Sequence, residues 1–542
     1  MPFKKLQLLT AACSFFAMEG FAQLYNNGAT IKIQPGALVF VQGDVQNNAG
    51  STLTNDGKLE VQGNFTNAAT YNTTTADDSL TLSGGNNVTL NGGAASISYL
   101  TINKTANTNN VTLAGNTTVG VKLDYLSGNL TTDPINTSFV LSSPVTAVYN
   151  FTAGREITGR VQRTGWTNGV ARVFNQPNMQ VTTNGGTNPT DFTVNMIPQA
   201  GGGDPTLAER EVKRKFVFTQ TGGTGFTTDM RFAYQDGELN TNTEPGLVPW
   251  FLNAGTEWNG KLTPITRDGV NNYVSYTGIT TTELANEWKL ADAKYTMNAT
   301  LALRGPWNGT AMNTSLNSGG IIQLTQPYNT TPFNYTGTES VGAIPNANVV
   351  DWVLVELRKP STGLPQDAAS ATIVGRKAGF LLNNGTVVDL DGVTPIAFDI
   401  TKQGSAFMVV RHRNHLGVMS NSLPSNASGT FTNDYTVLAN SYKPAGAPSD
   451  PVILLAGASG KYGMWGGDAN KNGAVNITDV NAVKFAISNS LSGYQLTDTN
   501  MNTGINASDY NLSKATISLS GTTGAPGRTP LVTTNIPDPI ID

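Results

Sequence analysis

The chain has almost no cysteine, little histidine and little charge, and each shortage limits what it can be. Its 542 residues contain one cysteine, Cys13, and two histidines, His412 and His415. Neither a disulfide within the chain nor a cysteine-ligated zinc site is therefore expected. Charged residues are 13% of the sequence, about half the usual share, and the net charge is −4. This balance argues against a nucleic-acid-binding surface.

Long apolar runs are also scarce, and the one near the N-terminus predicts export. A short basic start, a mostly apolar stretch and small residues up to Ala22 predict a signal peptide over residues 1–22. Cys13 lies inside it, and the alternative for this segment is a lipid-anchored cysteine. No other stretch reaches membrane-spanning length, so we expect a secreted or outer-surface protein without a transmembrane segment.

Glycine, asparagine and threonine take the place of charge. The sequence has 58 glycines, and glycine and asparagine favour tight turns, whereas threonine favours strands. We therefore expect a mainly β fold, with an N-terminal β-solenoid, β-sandwich domains and a small α-helical C-terminal module. The length of the chain also predicts several domains, each with its own core.

A repeat near the N-terminus predicts the solenoid. The segment 41–47, VQGDVQN, returns twenty residues later as 61–67, VQGNFTN. Short runs of alternating apolar residues fill the region 23–133, with Gly or Asn close to most of them, which is typical of strands near tight turns. In a stacked β-solenoid, each coil buries its inward residues against the coils above and below it. A pair of ordinary sandwich sheets is the alternative.

The middle of the chain predicts two further domains and a linker. Residues 134–294 and 295–445 carry strand-like segments beside turns, and each predicts a β-sandwich-like domain. In the second, Asn383-Asn384-Gly385 lies between two apolar runs and predicts a hairpin. Residues 446–465 predict a linker, since Pro and Gly are frequent where this stretch begins.

The module at 466–520, which a tail over 521–542 follows, is duplicated with an offset of thirty residues. Ten positions are identical between its halves. The polar positions that open each half are Asp468, Asn470, Asn472, Asn476 and Asp479, which recur as Asp498, Asn500, Asn502, Asn506 and Asp509. Ten identities at one offset exceed what an Asn-rich composition produces by chance.

These polar positions predict a calcium loop in each half. Calcium takes about six to eight hard oxygen ligands, and a twelve-residue loop supplies them from positions 1, 3, 5, 7, 9 and 12. The carbonyl of Ala474 occupies position 7 of the first loop, and Gly504 is its counterpart in the second. Gly473 lies at position 6, where the chain turns sharply, and Asp479 opens the helix that follows. An Asn- and Gly-rich turn pair without metal is the alternative.

The first loop, Asp-x-Asn-x-Asn-Gly-x-Val-Asn-x-x-Asp, resembles the dockerin family of tandem calcium loop–helix units. The resemblance implies two Ca²⁺ ions and a cohesin-like protein partner, recognised through helix residues near Lys484 and Lys514. The second loop departs from the pattern, because Thr503 stands where glycine is expected. Positive φ is unfavourable for a β-branched residue, so we expect a distorted or weaker second site.

Motifs outside the module carry a second resemblance. RGPW (304–307), VDWVLVELR (350–358) and RHRNHL (411–416) look like a module of Bacteroidetes surface proteins described as haemagglutinin-like or adhesin-like. YLTINK (99–104) is similar to the N-terminal repeats of those proteins. The resemblance implies an exported surface setting, with a surface glycan or a protein as the ligand.

No catalytic constellation stands out in the sequence. His412 and His415 are expected in a polar network with neighbouring arginines, since no cysteine or third histidine completes a zinc site. Asp351 and Glu356 are an odd number of positions apart on one predicted strand. They therefore face opposite ways and do not form the carboxylate pair of a glycosidase.

A set of aromatic residues is the candidate ligand site: Trp307, Tyr328, Phe333, Tyr335 and Trp352. Aromatic faces pack on the apolar faces of sugars, so this set predicts a glycan-stacking platform, and core packing is the alternative. The leading hypothesis is a non-enzymatic secreted or cell-surface adhesin or structural protein with a calcium-stabilised C-terminal module. The alternatives are a docking component of a polysaccharide-degrading assembly and a carbohydrate-active hydrolase.

Overall fold

The computed structural model describes residues 22–73, 78–132, 139–199, 211–240, 242–255, 257–400, 405–423, 429–457, 460–519 and 532–537. The predicted signal peptide, apart from Ala22, and its candidate lipidation site Cys13 lie outside these residues. The chain divides into two compact units, of which the first comprises 1–197, 216–231 and 278–285 and the second 198–215, 232–277 and 286–542. The fold is mainly β, as predicted.

The first unit begins with strands that stack in parallel. They are β1 (Leu24–Asn26), β2 (Thr30–Ile33), β3 (Leu38–Val41), β4 (Val45–Asn47), β5 (Thr52–Asn55), β6 (Lys58–Val61), β7 (Phe65–Asn67), β8 (Thr70–Asn72), β9 (Ser79–Leu82), β10 (Val88–Asn91), β11 (Ser96–Asn103), β12 (Asn110–Leu113), β13 (Thr117–Ser127), β14 (Asn129–Thr131), β15 (Leu141–Pro144), β16 (Val148–Phe151) and β17 (Ile157–Thr164). They form a parallel β-solenoid of about six turns, which confirms the predicted N-terminal architecture.

Successive coils keep their apolar residues in register. On one face Leu24 pairs with Val45 and Val45 with Phe65, and on another Leu59 pairs with Leu80. Val45, Leu59, Phe65 and Leu80 are fully buried. Because side chains alternate along a strand, each coil places one apolar set inside and the intervening polar set outside.

A ladder of buried asparagines also runs along the solenoid. Nδ2 of Asn26 donates to Oδ1 of Asn47 at 3.0 Å, and Nδ2 of Asn47 donates to Oδ1 of Asn67 at 2.7 Å. All three side chains are at most 2% exposed. Asn47 and Asn67 are the last residues of the repeated segment, so the repeat encodes this hydrogen-bonded ladder as well as a pair of strands.

The strands after the solenoid in the first unit include antiparallel pairs. They are β18 (Arg172–Val173), β19 (Gln180–Asn184), β20 (Asp191–Pro198), β21 (Arg214–Thr221) and β22 (Thr227–Ala233), and helix α1 spans Thr281–Leu284. β19 pairs antiparallel with both β18 and β22. β20 pairs antiparallel with β17, the last strand of the stack.

Parallel stacking continues past the boundary at residue 133 that the sequence predicted. β17 pairs in parallel with β14 and β15, so the final coil ends at Thr164. The predicted solenoid ended too early in the sequence because the coils differ in length. Asn47 and Asn67 are 20 residues apart, whereas the bond from Thr89 to Asn64 spans 25, and a variable period conceals the repeat.

The second unit is built from several smaller sheets and short helices. From Leu247 onward the strands are β23 (Leu247–Asn253), β24 (Glu257–Gly260), β25 (Ile265–Asp268), β26 (Tyr273–Thr280), β27 (Glu287–Asp292), β28 (Lys294–Thr300), β29 (Val349–Arg358), β30 (Ile373–Leu382), β31 (Val387–Val388), β32 (Ile396–Asp399), β33 (Phe407–Arg411), β34 (Val418–Met419), β35 (Thr430–Asp434), β36 (Ile453–Leu454), β37 (Tyr462–Gly463), β38 (Ala474–Val475) and β39 (Val532–Thr533). The helices are α2 (Ser315–Ser318), α3 (Ile477–Ser488) and α4 (Ala507–Leu519).

Two sheets contribute to one hydrophobic core in this unit. Their strand orders are β32-β28-β35 and β31-β30-β29-β33-β34, and the core includes Met297, Trp352 and Phe380. β29 lies between β30 and β33, and every residue of it is buried. β30 and β31 form the predicted hairpin, in which Gly385 takes a φ of 96°.

Three residues of the predicted linker 446–465 lie in this core, so its described part is not a free linker. Val452, Leu455 and Met464 are at most 3% exposed and lie in the same hydrophobic cluster, and β36 pairs with β37. The prediction of a linker was wrong because Pro and Gly mark packed turns as readily as flexible connections.

Candidate metal centre

Each half of the duplication folds as a loop that leads into a helix. The loop 468–479 leads into α3, and the loop 498–509 leads into α4. Asn476 is the N-cap of α3, where its side chain accepts from the main-chain N–H of Thr478 at 2.7 Å. An Asn at the N-cap and a carboxylate in the first turn, Asp479, both stabilise a helix start. The same residues therefore shape the loop and begin the helix.

Two carboxylates organise the first loop. Asp468 accepts the main-chain N–H groups of Asn472 and Gly473, each at 3.0 Å. Asp479 accepts those of Asn470 at 3.2 Å and Asn476 at 2.8 Å. Positions 1 and 12 of the loop are thus held by the main chain that lies between them.

The second loop repeats these four bonds at an offset of thirty residues. Asp498 accepts the N–H groups of Asn502 at 3.1 Å and Thr503 at 3.0 Å. Asp509 accepts those of Asn500 and Asn506, each at 3.0 Å. The two loops therefore share one backbone shape.

The asparagines at positions 3, 5 and 9 form turns that also recur. Asn470 Oδ1 accepts the N–H of Asn472 at 3.1 Å, and Asn472 Oδ1 accepts that of Ala474 at 3.0 Å. Corresponding bonds are made by Asn500, Asn502 and Asn506. At position 7 of the second loop, the carbonyl of Gly504 accepts from the Asn506 amide at 3.2 Å.

The expected distortion of the second loop at Thr503 is not present. Thr503 takes a φ of 78°, the same value as Gly473, and Lys471 and Met501 match at 56° and 57°. A non-glycine residue in this region costs about 1–3 kcal/mol. The second loop thus keeps its shape, and Thr503 carries a strain that Gly473 does not.

The four carboxylates at positions 1 and 12 of the two loops are buried. Asp468 is 4% exposed, and Asp479, Asp498 and Asp509 are fully buried. Burial, together with the charge of Asp479, raises the pKa of Asp468 to about 8. Burial also raises the pKa of Asp479 and of Asp498 to about 6. A bound cation would stabilise the charged carboxylates in each loop.

The donor set suits a hard cation. Each loop brings together two carboxylates, three side-chain amide oxygens and main-chain carbonyls, which are oxygen ligands of the kind calcium prefers. Among the described residues there is no group of three or more His, Cys, Asp and Glu side chains placed to hold a metal ion. The loops hold two carboxylates each, so most of the ligands for an ion would be amide and carbonyl oxygens.

The loops are attached to the β structure through polar contacts. Asn414, next to the end of β33, donates to the carbonyls of Leu496 at 3.1 Å and Asp498 at 2.8 Å. On α4, Thr516 accepts from Arg304 at 2.6 Å and donates to the carbonyl of Gly466 at 2.7 Å. The duplicated module is therefore packed against the sheets that precede it.

A C-terminal segment, residues 532–537, closes over the first loop. β39 pairs antiparallel with β38, so Thr533 lies opposite Ala474 at position 7. Thr534 donates its N–H to the carbonyl of Gly473 at 3.0 Å and its hydroxyl to that of Gly417 at 2.7 Å. Ile536 then packs into a small core beneath β33 and β34. The sequence analysis placed these residues in a tail over 521–542, because so short an apolar segment gives no periodic signal.

The two histidines lie in a buried polar network, as predicted. β33 ends before His412, so the chain turns and brings His412 Nδ1 and His415 Nδ1 within 3.1 Å. His412 Nε2 lies 3.3 Å from Asp351 Oδ2, and Arg413 Nε donates to the same oxygen at 2.8 Å. Burial lowers the pKa of His412 and lowers that of His415 well below its usual value. Tyr494, which the sequence did not single out, donates to the other oxygen of Asp351.

Asp351 and Glu356 point into separate ion-pair networks. Burial would raise the pKa of Asp351, but the charge of Arg413 holds it below its usual value. Glu356 is 1% exposed and binds Arg358 at 2.6 Å, Arg376 at 3.0 Å and Arg411 at 3.3 Å. The two carboxylates do not face a common site.

The predicted aromatic platform is not an exposed surface. Tyr328 and Trp352 are fully buried, Phe333 and Tyr335 are 8% exposed, and all four belong to the hydrophobic core. Trp307 is partly buried and donates to the carbonyl of Ala456 at 3.0 Å. The prediction of a stacking platform was wrong, because these rings pack the core with their polar atoms bonded.

Comparison with protein-family models, with curated proteins and with solved structures found no match for this chain. Among the described residues, no helix has both the length and the apolar character needed to cross a membrane.

Proposed function

We propose that this chain is an exported, non-enzymatic adhesin or structural surface protein whose C-terminal region folds around two calcium ions. One observation carries the calcium assignment: two loops, related by an offset of thirty residues, share the same carboxylate and amide hydrogen bonds. Their carboxylates, including Asp479 and Asp509, are buried. Repeated burial of paired carboxylates is unfavourable unless a cation balances them.

The rest of the architecture supports a structural role. A parallel solenoid gives an elongated stack of coils, and each coil contacts only its neighbours. The two sheets of the second unit that share a core support the β-sandwich assignment, and the loop–helix pairs support the dockerin-like assignment of 466–520. The chain then resembles the adhesin-like surface proteins with which its motifs agree.

Thermal unfolding of the full chain in calcium and in EGTA tests the calcium assignment. Calcium at ten times its Kd should stabilise the folded protein by about 1.4 kcal/mol per site. Asp468→Asn combined with Asp498→Asn should remove the response. The control is Asp450→Asn, since Asp450 forms a surface ion pair with Lys443 at 2.8 Å and is remote from both loops in the sequence. A melting temperature that is the same in calcium and EGTA contradicts the assignment.

Binding and turnover on a glycan array test the adhesin assignment. The labelled full chain should bind a surface glycan or protein and leave it intact. Release of new reducing ends from any bound glycan would show hydrolysis and contradict the non-enzymatic role.

A second candidate function is docking to a cohesin-like partner through α3. Ile477 and Phe485 are 52% and 65% exposed, and Lys484 is exposed beside them. Apolar side chains exposed on one helix face often mark a protein interface. In α4 the corresponding residues are Ala507 and Ala515, so the two helices do not offer equivalent docking faces.

Capture of the full chain by an immobilised cohesin-type domain tests this candidate. Phe485→Ala should reduce capture, whereas Leu519→Ala on α4, whose side chain is 56% exposed, should not. Equal capture of both variants, or capture that persists in EGTA, would contradict calcium-dependent docking through α3.

A further inference from the structure

We propose that the first coil of the solenoid is a self-association surface, through which two copies of this chain pair end to end. The first coil comprises β1, β2 and β3. Each of them pairs in parallel with one strand of the second coil, β1 with β4, β2 with β5 and β3 with β6. Among the described residues, none of the three pairs on its other edge. Each therefore offers a row of main-chain hydrogen-bonding groups as a template for another chain.

The hydrophobic core of the solenoid is also open at the first coil. Three inward-facing residues of this coil are in register with residues of the second: Leu24 with Val45, Ile31 with Leu53, and Val39 with Leu59. The three residues of the second coil are fully buried, whereas those of the first coil are only partly buried. A further coil stacked on the first would remove this apolar surface from water.

The outward-facing positions of the first coil carry large apolar side chains. Tyr25 and Leu38 are each 61% exposed, and Phe40 is 50% exposed. The residues in register with these three are polar or charged in the second coil, where they are Gln46, Lys58 and Glu60, and polar in the third, where they are Thr66, Ser79 and Thr81. An exposed apolar surface that is confined to one end of a repeat structure indicates an interface at that end.

The shape, size and charge of this end favour another solenoid end as its partner. An extended peptide would pair with one strand edge, whereas a coil matches three edges and the core between them. Asn26 and Asn47, at equivalent positions of two coils, are 21 residues apart, and a standard protein interface has about 20–30 residues on each side. Lys32 is the one charged residue of 22–41, and Asp56 balances it at 3.1 Å, so a charged ligand finds no excess charge here.

A second copy supplies the same three edges, the same open core and the same apolar side chains. Two first coils that meet head to head are related by a two-fold axis, which reverses the direction of the strands and makes their pairing antiparallel. Such a contact uses the same surface on both chains, so it closes after two copies. It involves neither calcium loop and does not depend on the calcium assignment.

The bonds between β3 and β6 identify the groups that β3 leaves free. The carbonyls of Ala37 and Val41 accept N–H groups of the second coil at 2.8 Å and 2.9 Å. Because the residues that bond to one neighbour alternate along a strand, Leu38 and Phe40 direct their main-chain groups to the free edge.

These two residues make β3 complementary to itself. With Val39 on the two-fold axis, Leu38 of one copy lies opposite Phe40 of the second copy. The pair exchanges two main-chain hydrogen bonds, and the two exposed side chains pack together on the outer face. Two such pairs form, one on each side of the axis.

Sedimentation equilibrium of the chain from residue 23 onward, the form expected after export, tests this association. The protein should have twice the mass of one chain in the micromolar range, in calcium and in EGTA alike. Phe40→Lys should raise the dissociation constant at least about a hundredfold, because an apolar contact is lost and two like charges lie close together across the axis. Leu38→Lys should act in the same way. The matched control is Thr81→Lys, in register with this column two coils further on, which should leave the dissociation constant unchanged.

Hydrogen exchange identifies the strand that pairs. Peptides that cover β3 should exchange more slowly as protein concentration rises, and this dependence should disappear in Phe40→Lys. Equal melting temperatures of Phe40→Lys and Thr81→Lys at a concentration where both are monomers show that both chains are folded. A monomeric unmodified chain, a dimer that neither lysine at 38 nor lysine at 40 weakens, or exchange of β3 that is independent of concentration would overturn the proposal. Monomers that bind phosphatidylcholine vesicles through Phe40 would overturn the second copy as the partner.

Discussion

Gly473 and Thr503 stand thirty residues apart at position 6 of their loops and share a backbone φ of 78°. Glycine takes this conformation freely, whereas threonine is strained by its branched side chain. Both residues also donate a main-chain N–H to the first carboxylate of their loop at 3.0 Å. Two residue types are thus forced into one conformation by the same hydrogen-bond pattern.

The first prediction concerns this strained residue. Thr503→Gly should stabilise the folded chain by roughly 0.5–1 kcal/mol, because relief of strain exceeds the added entropy of the unfolded chain. It should also raise the calcium affinity of the second loop. Gly473→Thr is the matched control and should weaken the first loop. Calcium titration of both variants checks this, and identical affinities in all three chains would contradict it.

The second prediction concerns the segment that closes the first loop. Ile536 is 2% exposed and packs with Phe407 and Met419. Ile536→Ala should cost about 2–4 kcal/mol of stability and release β39 from β38. Calcium affinity should then fall at the first loop and remain unchanged at the second. Leu519→Ala, whose side chain is exposed, serves as the control. Unchanged affinity at the first loop would show that the segment does not support it.

The third prediction concerns the asparagine ladder. Asn47→Ala removes the acceptor for Asn26 and the donor to Asn67, and two buried amide groups lose a partner. The local free energy of opening should fall by about 1–3 kcal/mol. Hydrogen exchange of the coils around Asn47, followed by mass spectrometry, measures it. Gln46→Ala, on the outward-facing side of the same strand, should change exchange little.

The fourth prediction concerns acid sensitivity. The pKa values of His412 and His415 are lowered by burial. The unfolded chain therefore takes up protons near pH 6.5 that the folded chain does not, and stability falls as pH drops below that value. The slope is about 1.4 kcal/mol per pH unit for each histidine. Calorimetry in excess calcium from about pH 7.5 to 5 measures the loss.

The direction in which stability changes with pH distinguishes the histidines from the loop carboxylates. Without calcium, the raised pKa of Asp468 acts in the opposite direction, since it adds stability at low pH that is lost as pH rises through about 8. Excess calcium holds this carboxylate in its charged form and so removes that contribution. Asp351, whose pKa is held low by Arg413, adds a further loss only below its unfolded value near 4. Constant stability between pH 7 and 5 would contradict a neutral, buried histidine pair.

The parts of the fold that the sequence predicted are those with local periodicity. The repeat at 41–47 and 61–67 predicted the coils because it records which residues face inward, and Asn383-Asn384-Gly385 predicted a hairpin because its turn needs positive φ. Residues 446–465 carried no such signal. Val452, Leu455 and Met464 are buried by contacts with residues far away in the chain, which composition does not record.

The residues of the candidate site also fall into those that local spacing predicted and those that it did not. The loop residues were found because their spacing is fixed by the geometry of one ion within twelve residues. Arg413 and Tyr494 were not grouped with Asp351, because they lie far from it in the sequence and only the tertiary fold places them around one carboxylate. For the aromatic residues the sequence left a stacking platform and core packing both open, because composition does not distinguish a stacking ring from a core ring.

The antiparallel strand β20 on the free edge of β17 has a consequence for association between molecules. An uncapped parallel stack offers its last strand as a template, onto which the coil of another copy adds by the same rule that joined the earlier coils. β20 occupies those hydrogen-bonding groups with the opposite polarity. A coil of another copy therefore cannot extend the parallel stack by pairing with β17.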